Sequence, residues 1–383
     1  MSMRRDFLAY IFFSALAFYL PIQVIFFRDV GIATEMIFWL LTLYTIFIVV
    51  GELPSGFIAD WLGAKSTLLV GTVCNALSPL LFAISDGQLG FLIAGQLLLA
   101  LSLALRSGTD SAFLYESIKT DYPTLEATSS QLRYAALGGS SLLGALLYSY
   151  WLPLPFLLSS LSGFIALLFL WRLPSRRSKP QAYKMVSLEI WTSLIQNPKL
   201  RQHLAFSSLL YSIGGFLFWI AQLYLDDVGL PTSLFGLVFS FGFLASVLGA
   251  QHSKTLFDLN PLQLYFSLGA CLVLSMSIML LFWHPLGFIG VVVLQYFTGL
   301  AGAPLLRFIQ DESPHVGRAS TLSLNSLLQR LGLTVILPVA GWSLNIMSLR
   351  MLILLTLVIF VLSFIAFRIV FIRPQYLKVE DNA

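Results

Sequence analysis

Long apolar runs joined by short polar loops account for almost the whole chain. Each run is close to the ~20 residues that an α-helix needs to cross a lipid bilayer, and is far longer than a membrane-spanning β-strand. The pattern predicts an all-α integral membrane protein with twelve transmembrane helices, six on each side of a central polar stretch. The predicted spans cover approximately residues 7–27, 36–59, 67–84, 89–112, 132–150, 154–171, 204–225, 234–250, 262–283, 286–309, 322–344 and 349–371.

The central polar stretch divides the chain into two halves of matching organisation. Residues 1–173 are predicted to form an N-terminal six-helix bundle, residues 174–201 a basic cytoplasmic linker, and residues 202–383 a C-terminal six-helix bundle. Two equal sets of spans indicate an internal duplication, which is common among membrane transporters. We therefore expect two pseudo-symmetric bundles.

The amino-acid composition also indicates a membrane protein. Of its 383 residues, 58% are hydrophobic and only 10% are charged, whereas about 25% are charged in an ordinary soluble domain. The mean hydropathy is +0.86. A soluble fold cannot bury so much apolar surface, so a soluble enzyme, a disordered protein and a nucleic-acid binder are excluded.

Reactive groups form no recognisable catalytic or metal-binding pattern. The two cysteines, Cys74 and Cys271, both fall inside apolar runs and are interpreted as packing residues. The four histidines lack metal-ligand spacing, and the sequence has no glycine-rich phosphate loop and no Ser/His/Asp or Cys/His arrangement. The sequence therefore predicts no metal, no cofactor and no enzymatic activity.

The distribution of basic residues predicts the orientation in the membrane. Residues 172–201 contain seven lysines and arginines against a single acid, Glu189. The loops of the same parity and both termini are also basic, while the opposite loops hold mainly acids. Because basic loops stay in the cytoplasm, the linker and both termini are predicted to be cytoplasmic. The short loops fit a bacterial inner membrane.

A loop of glycines and charged residues follows the second span. From Gly56 to Lys65 the chain reads GFIADWLGAK. This segment resembles the G-x-x-x-D-x-x-G-x-K/R loop between the second and third helices of the major facilitator superfamily. The twelve predicted spans, their division into six and six, and the two cytoplasmic ends extend the resemblance to the whole chain.

The residue types in this loop have physical roles. Gly56 and Gly63 allow close helix approach and a tight turn, and Asp60 can accept charge-assisted hydrogen bonds at a helix end. The resemblance implies that Asp60 helps to latch the two halves on the cytoplasmic side, and the alternative is a solvated loop acid. Trp61 and Ala64 stand where the family usually has basic residues, so the charge network of this loop is thinner than usual.

The resemblance implies a secondary transporter whose two bundles rock about a site at the middle of the membrane. The expected partners are a small organic substrate, protons and the lipid bilayer, with the protein acting as a monomer and binding no nucleic acid. Export of a drug or metabolite is favoured over uptake on frequencies within the family, not on any residue. Two alternatives stay open. One is transport of an organic anion, such as a carboxylate metabolite or siderophore, in either direction; the other is a non-transporting receptor or lipid-handling protein on the same scaffold.

Ionisable residues within the apolar runs are the candidates for proton coupling and gating, because a charge inside the bilayer is costly and is usually functional. Arg106 and Asp110 end the fourth span and Arg307 and Asp311 end the tenth, each pair four residues apart. Such pairs are either structural or alternate between pairing and breaking during transport. The full set comprises Asp110, Glu52, Glu116, Arg106, Arg133, Arg307, Asp311 and Arg330.

Asp110 is the first candidate for the proton-coupling acid. Burial favours its neutral form and a nearby arginine favours its charged form, so the two effects can balance. Glu52, close to Pro54, is the second candidate, and for either acid the alternative is a permanently ionised partner of arginine. Arg330 follows Arg318 by 12 residues, or ~18 Å along a helix. This places Arg330 near the bilayer centre, where it would bind an anionic substrate or hold a carboxylate poised for proton release.

Cavity residues follow from the resemblance, because in the family the first, fourth, seventh and tenth helices line the central cavity. The polar and aromatic residues on the corresponding runs are Tyr19, Gln23, Gln96, Tyr211, Trp219, Gln222, Gln295 and Tyr296. Aromatic walls with a few amides suit an amphipathic organic ligand. The alternative for the tyrosines and tryptophan is anchoring at the membrane surface.

Overall fold

The structure is a computed structural model that describes residues 2–117, 122–174, 196–313 and 318–369. All regular secondary structure in these ranges is helical, which confirms the all-α prediction. The described residues form fourteen α-helices: α1 Ser2–Ala15, α2 Gln23–Asp29, α3 Thr34–Leu62, α4 Ala64–Ala83, α5 Leu89–Arg106, α6 Thr109–Ser117, α7 Tyr122–Tyr148, α8 Leu154–Arg172, α9 Pro198–Asp227, α10 Phe235–His252, α11 Pro261–Leu281, α12 Phe288–Asp311, α13 Arg318–Ser343 and α14 Leu349–Phe367.

Membrane-spanning character is widespread in these helices. Ten helical stretches among the described residues are long and apolar enough to cross a bilayer. Two of the predicted spans are not among these ten. The first is interrupted between α1 and α2, and the fifth corresponds to α7, which has 27 residues but is rich in glycine and serine. The count of twelve spans stays a prediction.

The first predicted span is interrupted by residues 16–22, which we call the helix break. These residues form turns between α1 and α2, and one turn is closed by the hydrogen bond from the Ile22 N–H to the Tyr19 carbonyl at 3.0 Å. Pro21 accounts for the later part of the break, because proline has no N–H to donate and disfavours a helical conformation in the residue before it; α1 itself already ends at Ala15.

A second interruption divides the fourth predicted span between α5 and α6. Gly108 has a φ angle of +73°, in the left-handed region that glycine adopts without steric cost. The α-helix therefore ends at Arg106, and a new one starts at Thr109. Because of this interruption, Arg106 and Asp110 belong to two separate helices.

The helices divide into two compact units. The first comprises Met1–Tyr183 and Leu230–Phe241, and the second comprises Lys184–Gly229 and Gly242–Ala383. The first has a core in which α1, α4, α6, α7 and α8 meet. Its buried members are Phe7, Tyr10, Ile11, Leu68, Phe113, Leu114, Leu125, Ala166, Leu170 and Leu173.

Local sequence signals fix the starts of helices in the second unit. At the start of α9 the Asn197 side chain accepts the Lys199 backbone N–H at 3.0 Å, and Pro198 occupies the first turn, where its missing N–H costs nothing. At the start of α11, Asn260 and Gln263 form a reciprocal capping box. These caps satisfy backbone donors that a helix leaves unpaired at its first turn.

Candidate functional site

Asp110 lies at the start of α6 and is 6% exposed. Its Oδ1 accepts a hydrogen bond from the Tyr10 hydroxyl of α1 at 2.7 Å. Its Oδ2 accepts a hydrogen bond from an Arg133 guanidinium nitrogen of α7 at 2.6 Å. One buried carboxylate thus joins three helices of the first unit through one neutral and one charged partner.

Arg106 has other contacts, although it stands four residues before Asp110. Its guanidinium donates to the Ser14 hydroxyl at 2.8 Å and lies 5.8 Å from the centroid of the Tyr10 ring. Among the described residues the ion pair of Asp110 is with Arg133. A spacing of four residues brings side chains together only on a continuous helix, and here the helix is interrupted at Gly108. The spacing was therefore a poor guide to the partner of Asp110.

The corresponding pair of the second unit keeps the helical spacing. On the uninterrupted α12, the Arg307 Nε lies 3.6 Å from the Asp311 Oδ2, and the two side chains are 47% and 61% exposed. Arg307 also donates to the Phe257 carbonyl at 2.7 Å. An ion pair as exposed as this contributes little to stability, so the same sequence pattern has a buried environment in one unit and an exposed one in the other.

The other predicted charged residues are distributed along the helices. Glu52 lies on α3 and Arg330 at the middle of α13, and both are partly buried. The side chains of Glu116 and Asp60 and the surroundings of Gly56 lie outside the described residues. For these residues a role in coupling, gating or latching stays a prediction.

Lys65 connects the loop motif to the end of α8. Its Nζ donates to the Trp171 carbonyl at 2.9 Å and to the Leu173 carbonyl. A lysine at a helix C-terminus satisfies carbonyls that lack helical partners and interacts favourably with the helix dipole. Gly63, just before α4, has the positive φ of +85° that the predicted tight turn requires, whereas Trp61 is 85% exposed.

Serine side chains satisfy the backbone of the helix break. The Ala17 N–H donates to the Ser140 hydroxyl of α7 at 3.1 Å, and the Phe18 N–H donates to the Ser159 hydroxyl of α8 at 3.0 Å. Non-helical backbone at membrane depth needs such partners within the protein, because lipid offers none. The break is therefore supported by the helices packed around it.

Aromatic and amide side chains gather next to the break. Tyr19 stacks on Phe156 with ring centroids 5.4 Å apart, and its ring edge meets Phe82 at 6.4 Å. Gln23, the first residue of α2, and Gln96 of α5 are 0% and 1% exposed. Neither the oxygen nor the nitrogen of either amide has a hydrogen-bond partner in the structure.

The predicted cavity residues of the second unit have more varied surroundings. Trp219, Gln222 and Gln295 are buried. The Tyr211 ring lies 6.4 Å from that of Phe297. The Tyr296 hydroxyl forms a hydrogen bond of 2.9 Å with the His252 Nδ1. A joint role of the residues from both units in one cavity stays a prediction.

Sequence reasoning missed two residues that contact the charged cluster, Tyr10 and Ser14. A signal was present, because Asp6, Tyr10 and Ser14 recur every four residues in an otherwise apolar run. Such a repeat places polar groups on one face of a helix. All three side chains are buried in the structure.

The family model of the Major Facilitator Superfamily matches residues 7–335 of the chain. The chain belongs to this superfamily. It is an integral membrane transporter rather than an enzyme. No curated protein sequence matches it.

Solved structures of the superfamily share the fold. The nucleoside transporter NupG has a TM-score of 0.79 and 16% identity, over 96% of this chain and 98% of that one. The D-xylose-proton symporter has a TM-score of 0.74 and 11% identity, over 96% and 95% of the two chains. The POT family transporter PepTSo has a TM-score of 0.71 and 14% identity, over 96% and 97%. At these identities the likeness establishes the fold and leaves the substrate open.

Proposed function

We propose that this superfamily member couples the movement of a small organic molecule to protons by alternating access, with Asp110 as the carboxyl group that takes up and releases the proton. The observation that carries the proposal is the placement of this carboxylate, buried and held between the Tyr10 hydroxyl and the Arg133 guanidinium. A solved relative named as a D-xylose-proton symporter supports proton coupling in this fold.

Protonation of Asp110 would change the contacts between helices. The charged carboxylate holds α6 to α7 through Arg133, and that attraction is lost when the carboxyl becomes neutral. Arg133 can then turn away from Asp110, because 37% of its side chain is already exposed. A single proton would thus loosen one helix contact while the Tyr10 hydroxyl keeps a partner. Such a dependence of packing on protonation is what coupling requires.

The test uses purified protein in proteoliposomes with an imposed pH gradient and a pH-sensitive dye inside. Amphipathic cations, neutral drugs and organic carboxylates are added in turn, and substrate-dependent proton flux is measured. In Asp110→Asn we expect this flux to disappear while ligand binding persists. The direction of transport, for which we expect export, follows from the polarity of the gradient at which substrate added outside stimulates proton flux: acid inside for exchange of substrate against protons, acid outside for co-transport.

The matched control is Asp29→Asn. Asp29 accepts the Tyr148 hydroxyl at 2.7 Å and lies 3.9 Å from the Arg28 Nε, so it has the same types of partner as Asp110 but is 36% exposed. This variant should keep coupled flux. Coupled flux at the wild-type rate in Asp110→Asn would remove Asp110 from the mechanism. Ligand binding without proton flux for any compound would contradict proton coupling itself.

A further inference from the structure

The first turns of α1 border an open groove on the first unit. The groove has a volume of about 720 Å³ and is lined by side chains of α1 and by Leu132 of α7. This volume lies within the range of binding sites for small organic molecules, ~300–1,000 Å³. Its described lining includes none of the predicted cavity residues and neither Asp110 nor its two partners. The groove is therefore distinct from the site described above.

The groove is charged at one end and apolar along its length. Arg4 and Arg5 lie at the charged end, and Leu8 and Phe12 follow Arg5 at spacings that keep the three side chains on one side of the helix. From Arg5 to Phe12 the helix rises ~10 Å. Among the described residues that line the groove, two are arginines and none is an acid. The groove thus presents positive charge next to an apolar wall.

Packing holds the apolar wall in place. Phe13 stacks on Phe169 of α8 with ring centroids 5.7 Å apart, and the Phe12 ring meets Phe13 edge to face at 5.5 Å. Leu8 and Leu132 pack against the buried core of the first unit. A ligand in the groove would therefore meet a wall that is already formed.

The charged end of the groove lies next to the first predicted span. That span begins at about residue 7, so Arg4 and Arg5 stand within one helical turn of its end. Basic residues in such a position lie at the level of the lipid headgroups. The apolar wall continues ~10 Å inwards, which is about two-thirds of one leaflet when the hydrocarbon core is ~30 Å thick. These dimensions match a molecule with an anionic head at the membrane surface and a chain inside the bilayer.

Asp6 offsets only part of the positive charge. Its Oδ1 lies 3.9 Å from the Arg5 Nε, and the Arg5 side chain is 80% exposed. An ion pair that is long and exposed on one side is weak, so an incoming phosphate can reach Arg5 without breaking a strong contact. A guanidinium group can donate two parallel hydrogen bonds to a phosphate.

We propose that this groove binds one anionic phospholipid, with its phosphate at Arg4 and Arg5 and one acyl chain along Leu8, Phe12 and Leu132. A zwitterionic lipid is disfavoured because the positive group of its head would face two guanidinium groups. A soluble anion is disfavoured because it leaves the apolar wall uncovered. The site takes no part in moving the substrate and goes beyond the proposed function.

The test measures lipid binding to the purified full-length protein in a neutral detergent by native mass spectrometry. The probes are phosphatidylglycerol and phosphatidylcholine with the same oleoyl chains, and glycerol 1-phosphate as a head without chains. Each basic residue near an anionic lipid raises affinity about fivefold. We therefore expect the first phosphatidylglycerol to bind at least about tenfold more tightly than phosphatidylcholine. Glycerol 1-phosphate in about tenfold excess should not displace it.

Three sets of variants separate charge from shape. The double variant Arg4→Gln/Arg5→Gln should lower the affinity for phosphatidylglycerol to that for phosphatidylcholine. The matched control Arg28→Gln/Arg350→Gln removes the same charge outside the groove and should keep the preference. Ala9→Trp fills the groove without changing any charge and should weaken phosphatidylglycerol binding about tenfold. Ala9→Leu, a smaller replacement with a smaller expected loss, serves if the tryptophan variant does not fold.

Four results would overturn the proposal. Equal affinities for the two lipids would remove the anionic preference. An equal loss in the control pair would show a general attraction between lipid and a positively charged protein. Unchanged phosphatidylglycerol affinity in the folded Ala9 variants would place the lipid outside the groove, and displacement by glycerol 1-phosphate would identify the occupant as a soluble phosphate. None of these results bears on proton flux through Asp110, which has its own assay.

Discussion

Replacement of Arg133 by glutamine should destabilise the protein more than replacement of Asp110 by asparagine. Arg133→Gln leaves a carboxylate whose side chain is only 8% exposed and which keeps the Tyr10 hydroxyl and the electrostatic attraction of Arg106 but loses its ion pair. Asp110→Asn leaves a guanidinium that is already 37% exposed, and the asparagine oxygen still accepts from Tyr10.

The size of the effect follows from burial. Removing one partner of a fully buried ion pair costs about 3–5 kcal/mol, whereas exposed pairs contribute at most about 1 kcal/mol. The Arg133–Asp110 pair lies between these limits, since one partner is buried and the other is about one-third exposed. We therefore expect a loss of about 2–3 kcal/mol for Arg133→Gln and about 1 kcal/mol for Asp110→Asn.

The assay is reversible unfolding of the full-length protein in mixed micelles, titrated with sodium dodecyl sulfate and followed by circular dichroism. The double variant should lose less than the sum of the two single variants, with a coupling free energy of about 1–2 kcal/mol. The control is the more exposed pair Arg28–Asp29, in which the Arg28 Nε and the Asp29 Oδ1 are 3.9 Å apart; its two single losses should be additive. Additive losses at Arg133 and Asp110, or a larger loss for Asp110→Asn, would refute the reasoning.

Two further predictions test the geometry that positions this site. Lys65→Met should lower the free energy of unfolding by about 1 kcal/mol, because the α8 carbonyls lose a charged donor; an unchanged unfolding curve would mean that solvent replaces the lysine. Gly108→Ala should lower the free energy of unfolding by about 1–2 kcal/mol. Because no atom lies within 4 Å of the added Cβ, this loss would come from the positive φ angle alone. A variant as stable as the wild type would show that the α5–α6 interruption adapts to a helical φ.

Most of the spans were predictable because their signal is local. A run of apolar residues long enough to cross a bilayer needs no knowledge of its neighbours. The two interruptions also contain local signals, since Pro21 lies in the helix break just before α2 and Gly108 lies between the end of α5 and the start of α6. Their consequences were not predictable in the same way, because the serines that pair with the broken backbone lie more than a hundred residues further along the chain.

The candidate site was predictable as a set of residues but not as a set of contacts. The polar run around Asp110 singled out this acid, and Arg133 was among the candidates. Their pairing depends on how α6 packs beside α7, which no spacing within one segment reveals. The carbonyl partners of Lys65 were equally out of reach, because every residue type presents the same backbone oxygen.

The two Arg–Asp pairs show how a repeated sequence pattern acquires different chemistry. Between Arg307 and Asp311 the chain continues as helix, so both side chains stay on one exposed face. Between Arg106 and Asp110 the chain contains Gly108, and the helix stops. Each residue of the first pair then finds its partners on other helices, and the acid becomes buried. A proton-sensitive contact needs that burial, because in water the protonation of an exposed acid changes little else in the structure. This asymmetry is why we place proton coupling in the first unit rather than in both.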